Sequence, residues 1–201
     1  MKNIVLLICM IALLGLKASS QNKYATPKGF KIYKDYNGQP IGLDNDFDND
    51  GITDRAIVLT ESASNTNVVA VFLSTSYFTR NTISYLPFDA ESYSISLQNK
   101  VLSVGACLGT GRFCKTFKFK YYVATKGMRL IGYDEESFGN AAHDGAYLKT
   151  VNLLTNKFEL SGPKWKTKLV KHTKLPIMTL ESLEPASLDD LERIGEVYIS
   201  N

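Results

Sequence analysis

Tyr93-Ser94-Ile95-Ser96-Leu97-Gln98-Asn99-Lys100-Val101-Leu102-Ser103-Val104 is the stretch that decides the fold class. Apolar and polar residues alternate with a period of two, pause at Asn99-Lys100, and resume. A strand with one buried face has that period, and two residues suffice for a tight hairpin. Downstream, Phe117-Lys118-Phe119-Lys120-Tyr121-Tyr122-Val123 puts Phe117, Phe119 and Tyr121 on one face and Lys118 and Lys120 on the other. Ala124 to Gly127 turns this chain into a run from Met128 to Tyr133. Another hairpin is expected from Leu148–Leu153 and Lys157–Leu160, turning at Thr155-Asn156. Upstream, Ala56–Leu59 and Val68–Leu73 have the length and β-branched content of strands. No helical period separates these runs, so the chain reads as mainly β, an antiparallel meander forming a sandwich or a curved, propeller-like sheet. One short C-terminal helix is expected near 188–194. Ser187 would cap it, Leu188, Leu191 and Ile194 form its apolar stripe, and Gly195 ends it.

The first residues carry a different message. Met1-Lys2-Asn3 runs into an apolar segment from Ile4 to Leu16, followed by Ala18-Ser19-Ser20. This is the pattern of a secretory signal peptide over 1–20, cleaved before Gln21. The segment is too short for the roughly 30 Å hydrocarbon core of a bilayer, and no other stretch approaches that length. The expectation is an exported protein of the periplasm or extracellular space, one β domain over 21–201, with no membrane span in the mature chain. Removing Lys2 and Lys17 from the 23 basic residues leaves 21 against 20 acidic ones. Such balance gives no field for a nucleic-acid partner. Cys107 and Cys114 remain after cleavage, and in an exported chain an even pair reads as a disulfide. Closing so short a loop stabilises by about 2.5 kcal/mol on chain-entropy grounds.

Asp46-Phe47-Asp48-Asn49-Asp50-Gly51-Ile52-Thr53-Asp54 carries the clearest chemistry. Calcium takes six to eight oxygens, and alternate aspartates converge on one point when the backbone wraps around it. Gly51 stands where the wrap needs a sharp turn. In this reading the ligands are Asp46, Asp48, Asp50 and Asp54, with the backbone carbonyl of Ile52. The loop spans 44–54, and five aspartates crowd into it (Asp44 included), a repulsion that a cation would relieve. Magnesium demands tighter octahedral geometry and fits less well. A helix–loop–helix calcium site needs a glutamate at the twelfth position, where Ile57 stands inside an expected strand.

Followed by Arg55-Ala56-Ile57-Val58-Leu59, the loop resembles the calcium loop of FG-GAP-type repeats of integrin-like β-propellers, which lies in a β-hairpin and uses its last aspartate as a ligand. It is similar also to dockerin and thrombospondin type 3 loops, although dockerin loops lead into helices and thrombospondin loops come in tandem. The resemblance covers about 14 residues and one copy. More loosely, a single loop followed by a meander resembles small exported proteins of Gram-negative bacteria. It implies a structural calcium ion.

No complete catalytic signature is present. His143 lies in a polar loop near Asp134, Glu135 and Glu136, and the best available pair for acid–base chemistry is His143 with Glu136. Lys164 to Lys174 is a basic strip holding the only tryptophan, Trp165. Alternation would place Lys164, Lys166 and Lys168 on one strand face, as an edge guarded against aggregation. An acidic tail follows that could cover it. The reading that results is a non-enzymatic exported module, stabilised by calcium, that binds a protein or glycan. The alternatives are a secreted hydrolase with its site around Asp134–Asp144, or a periplasmic inhibitor or immunity protein.

Overall fold

The computed structural model describes residues 24–76, 81–84, 90–109, 112–183 and 185–200, with backbone alone at 76, 81–84 and 185; the expected signal peptide lies outside the described residues. Strands β6 (Ser92–Gln98), β7 (Val101–Leu108), β8 (Phe113–Tyr122), β9 (Gly127–Ser137), β10 (Tyr147–Asn152), β11 (Lys157–Ser161) and β12 (Leu169–His172) form one antiparallel sheet in chain order. The meander expected from alternation is therefore present. Asn99 and Lys100 adopt φ of 50° and 62°, so both central residues of the turn are left-handed, as a two-residue hairpin requires.

The upstream strands build a second antiparallel sheet. It comprises β1 (Phe30–Ile32), β2 (Gly42–Asn45), β3 (Asp54–Glu61), β4 (Asn67–Phe72) and β5 (Asn81–Ser84). β1 and β2 share one flank of β3, at opposite ends of it, and β4 then β5 continue on the other. Neither sheet closes into a barrel. β3 and β4 are buried on both faces. Ala56, Val58, Val69 and Val71 pack with Leu102, Val104, Phe117, Phe119 and Leu130 of the large sheet, while Ile57, Leu59, Val68, Ala70 and Phe72 gather on the opposite side. Burial on both sides is why these strands read as continuous apolar runs, whereas the one-sided β6 and β8 alternate. Each large side chain so buried contributes roughly 1.5–3 kcal/mol.

β8 keeps the expected alternation, with Phe117 and Phe119 buried and Lys120 exposed. Its pairing with β9 is regular except at one point. Lys118 faces Gly132 and Phe119 faces Leu130, so Ile131 is an extra residue, a β-bulge.

The C-terminal helix α1 spans Pro185–Arg193, starting before the expected Ser187 cap and placing that serine inside its first turn. Leu188, Leu191 and Ile194 are buried in the main core, as the stripe implied. Gly195 then takes φ 75° and opens a short helix, α2 (Glu196–Ile199). A Cβ at Gly195 would stand 2.9 Å from a ring carbon of Phe158, so only glycine lets the chain turn this close to β11. The basic strip departs from expectation. Residues 164–168 form turns and bends after Gly162-Pro163, and only Leu169–His172 is a strand, although it is an edge strand. Proline and glycine at its entry deny the strip a ladder. The acidic tail meets it only in part, where the Lys164 ammonium donates to the Ile199 carbonyl at 3.0 Å and Lys171 lies over the Tyr198 ring.

Candidate metal centre

β2 and β3 pair as far as Asn45 opposite Asp54, and residues 46–53 leave the sheet between them. The loop is tied down at both ends. Phe47 is buried in the core, and Asp54 has no exposed surface at all. The Asp54 carboxylate accepts hydrogen bonds from the amides of Phe47 (2.8 Å), Asp48 (3.3 Å) and, at the end of β4, Ser74 (2.7 Å). Burial pushes its pKa up and these three amides pull it back, with the charge of Asp48 adding to the upward side. Asp54 thus fastens the loop to two strands.

Above it the other aspartates fold the backbone around themselves. Asp46 accepts from the amides of Asn49 (2.6 Å), Asp50 (3.2 Å) and Gly51 (3.1 Å), and Asp50 accepts from Ile52 (2.7 Å). Asn49 and Gly51 supply the left-handed turns, at φ 65° and 85°. One carboxylate oxygen each from Asp46, Asp48 and Asp50 lies within 4.8 Å of the others, a group that could hold a metal ion. At 4.8 Å two like charges repel by roughly 1 kcal/mol in water and about 3.5 kcal/mol at the effective dielectric of a protein surface, so a cation would remove a real cost. The donor set is oxygen throughout, which suits a hard cation.

Two hydroxyls join from outside the loop. Ser74 donates to Asp50 at 2.5 Å and lies 3.3 Å from Asp48, while Thr75 donates to Asp48 at 2.8 Å. Nothing local in the sequence announces them, since they follow β4 and reach the loop only through the pairing of β3 with β4. Ile52 is half exposed and its amide serves Asp50. Asp44 stands apart, in a bidentate pair with Arg55 at 2.6 Å. The structure brings together Asp46, Asp48 and Asp50 of the expected ligands, and puts Asp54 beneath them as a support.

Cys107 and Cys114 face each other across β7 and β8 with Cα atoms 4.1 Å apart, joined as a disulfide. His143 and Glu136 are not assembled with each other. Glu136 is exposed on the outer face of β9, opposite Cys114 and Leu148, and His143 is exposed in the β9–β10 loop at φ 62°. The buried carboxylate is their neighbour Glu135. It accepts from Tyr147 (2.5 Å), Tyr133 (2.6 Å) and the Lys149 ammonium (3.0 Å), and Lys149, with no exposed surface, also donates to the Glu192 carbonyl of α1 at 2.8 Å. Lys115 pairs with the Glu192 carboxylate. Burial, seconded by Glu135, raises the pKa of both tyrosines, and burial lowers that of Lys149 against the pull of Glu135. The sequence reading missed this network.

Among the described residues no helix is long and apolar enough to cross a membrane. No family model matches this sequence, and no curated protein or solved structure matches it either.

Proposed function

We propose that the protein is an exported, non-enzymatic β module that holds one calcium ion in the 46–54 loop, with the ion in a structural role, and binds a protein or glycan partner. The observation that carries the calcium part is the convergence of Asp46, Asp48 and Asp50 within 4.8 Å, on a loop whose amides already orient their carboxylates. Ser74 and Thr75 at the end of β4 add hydroxyl oxygens, so an ion there would bridge two strands of the smaller sheet. That is a stabilising position. The FG-GAP-like spacing of the loop and the leader-like first residues support the exported, calcium-binding reading.

Thermal melting in calcium, in magnesium and in chelator tests it, on wild type and Asp48→Ala. At a calcium concentration 100 times the dissociation constant, stabilisation is about 2.7 kcal/mol. For a chain of this size that raises the midpoint by roughly 5–10 °C. Magnesium should do less, and Asp48→Ala should lose the calcium response whatever its starting midpoint. A wild-type midpoint indifferent to calcium sinks the reading.

A further inference from the structure

Between the helical C-terminus and strands β8–β10 runs a groove that the aspartate loop does not touch. It consists of two adjoining cavities of about 440 and 320 Å³ that share Tyr147 and Ile199. Each falls in the range of small-molecule sites, roughly 300–1,000 Å³. Glu135, Phe113 and Arg193 line the first, and Trp165, His143 and Asp144 the second. We propose that this groove binds a short, uncharged oligosaccharide.

Hydrogen-bond capacity is the first argument. A carboxylate offers about four acceptor positions. Tyr133, Tyr147 and Lys149 fill three on Glu135, whose side chain is 6% exposed, and Glu135 is among the residues that line the cavity. The groove floor therefore presents an acceptor locked in direction, which spares a ligand the cost of ordering it.

Charge is the second. Glu135 is matched by Lys149 and Glu192 by Lys115, both inside the wall. That leaves Asp189 and Glu196 with Arg193 in the first cavity, and Asp144 with Lys164 in the second. An ammonium or a carboxylate ligand would meet its own sign along part of either cavity. Hydroxyls both donate and accept, so a polyol is satisfied by acids and bases alike. Shape and surface agree, because two lobes placed side by side admit more than one sugar ring, and the aromatic residues Phe113, Tyr147 and Trp165 are part of the lining.

This names the glycan half of the partner expectation and does not rest on the calcium reading. Trp165 is the only tryptophan, so its fluorescence reports on the groove. The full chain, in calcium-containing buffer, is titrated with cellotriose, chitotriose, maltotriose and mannotriose, and in parallel with spermidine and a trimeric uronate, by fluorescence and calorimetry. The expected result is saturable binding of at least one neutral trisaccharide at or below about 1 mM. Arg193→Ala and Asp144→Ala, both surface changes that leave the fold intact, should each weaken it about tenfold. Lys126→Ala, an exposed change in the β8–β9 turn outside both cavities, should leave it unchanged. The proposal is overturned if no neutral trisaccharide binds, if spermidine or the uronate binds more tightly than all of them, or if both groove variants bind like wild type.

Discussion

The molecule handles crowded charge in two opposite ways. In the 46–54 loop like charges are gathered within 4.8 Å of one another, with amides and two hydroxyls as their company. Around Glu135 unlike charges are paired in the wall, buried at Lys115, Glu135 and Lys149 and open to the groove at Glu192, and their partners come from the same chain. The first arrangement invites something from solution to complete it. The second is already complete, and its groups are held in fixed directions. Incomplete sites report on the surroundings, while completed ones organise the protein and whatever docks on it.

Breaking the second arrangement should have the largest effect. Lys149→Ala leaves the Glu135 carboxylate buried without its cation and should cost about 3–5 kcal/mol in denaturant unfolding. Replacing both, as Glu135→Leu with Lys149→Met, should recover only part of that loss, because two apolar residues need no counter-ion but the Tyr133 and Tyr147 hydroxyls lose their acceptor. A double variant as unstable as the single one would show that the pair contributes more than mutual neutralisation. Calcium on the loop comes next, worth about 2.7 kcal/mol at 100-fold excess over the dissociation constant, and it should act equally on wild type and on the Glu135/Lys149 double variant if the two regions are independent. Reducing the Cys107–Cys114 bridge, which lies outside both regions, should lower stability by about 2.5 kcal/mol in the same assay.

Alkaline titration sharpens the contrast further. Tyr133 and Tyr147 have raised pKa values in the folded chain, so it keeps protons that the unfolded chain releases. Their contribution is fully present below the unfolded tyrosine pKa of about 10 and is lost above it, at up to about 1.4 kcal/mol per pH unit for each tyrosine. Lys149 has the opposite sign. Its lowered pKa makes stability rise with pH until the unfolded lysine has titrated, near 10.4; one lysine offsets only one of the two tyrosines, so the net fall sets in near pH 10 and steepens beyond it. Unfolding midpoints between pH 9 and pH 12 should drop about half as steeply in Tyr147→Phe as in wild type. The smallest effect belongs to the exposed Asp44–Arg55 pair, where Asp44→Ala should cost no more than about 1 kcal/mol despite its bidentate geometry.

The two regions also differ in how far the sequence displays them. The loop is contiguous, so spacing alone exposes Asp46, Asp48 and Asp50. Its blind spots are the parts supplied by folding, namely Ser74 and Thr75, which follow β4, and the amides of Phe47, Asp48 and Ser74 that converge on Asp54. Large-sheet strands were legible because one buried face imposes a period of two, and the small sheet was legible as apolar runs because both its faces are buried. The short strands β1 and β2 gave no such signal, being mostly exposed and held by the flank of β3. The Glu135 network is assembled from β8, β9, β10 and α1, with Lys115 and Glu192 lying 77 positions apart. No local pattern links them, so attention fell instead on His143 and Glu136, which are polar, nearby and exposed.

Ile131 carries a consequence larger than its side chain. On the near side of it, even-numbered residues of β9 point inward, as Met128 and Leu130 do; beyond it, odd-numbered ones do, as Tyr133 and Glu135 show. The extra residue works as a frame shift in the sheet. Glu135 and Glu136 are chemically identical neighbours, and the bulge that sets Ile131 outside the ladder with β8, not the identity of either side chain, selects which is walled in and which meets water. Substitution at 131 should then be tolerated. Deletion of that residue would join Leu130 directly to Gly132, in step with Phe119 and Lys118, and would keep Tyr133 and Glu135 inward, whereas a deletion elsewhere in the strand, at Asp134 for example, would turn Glu135 out and Glu136 in.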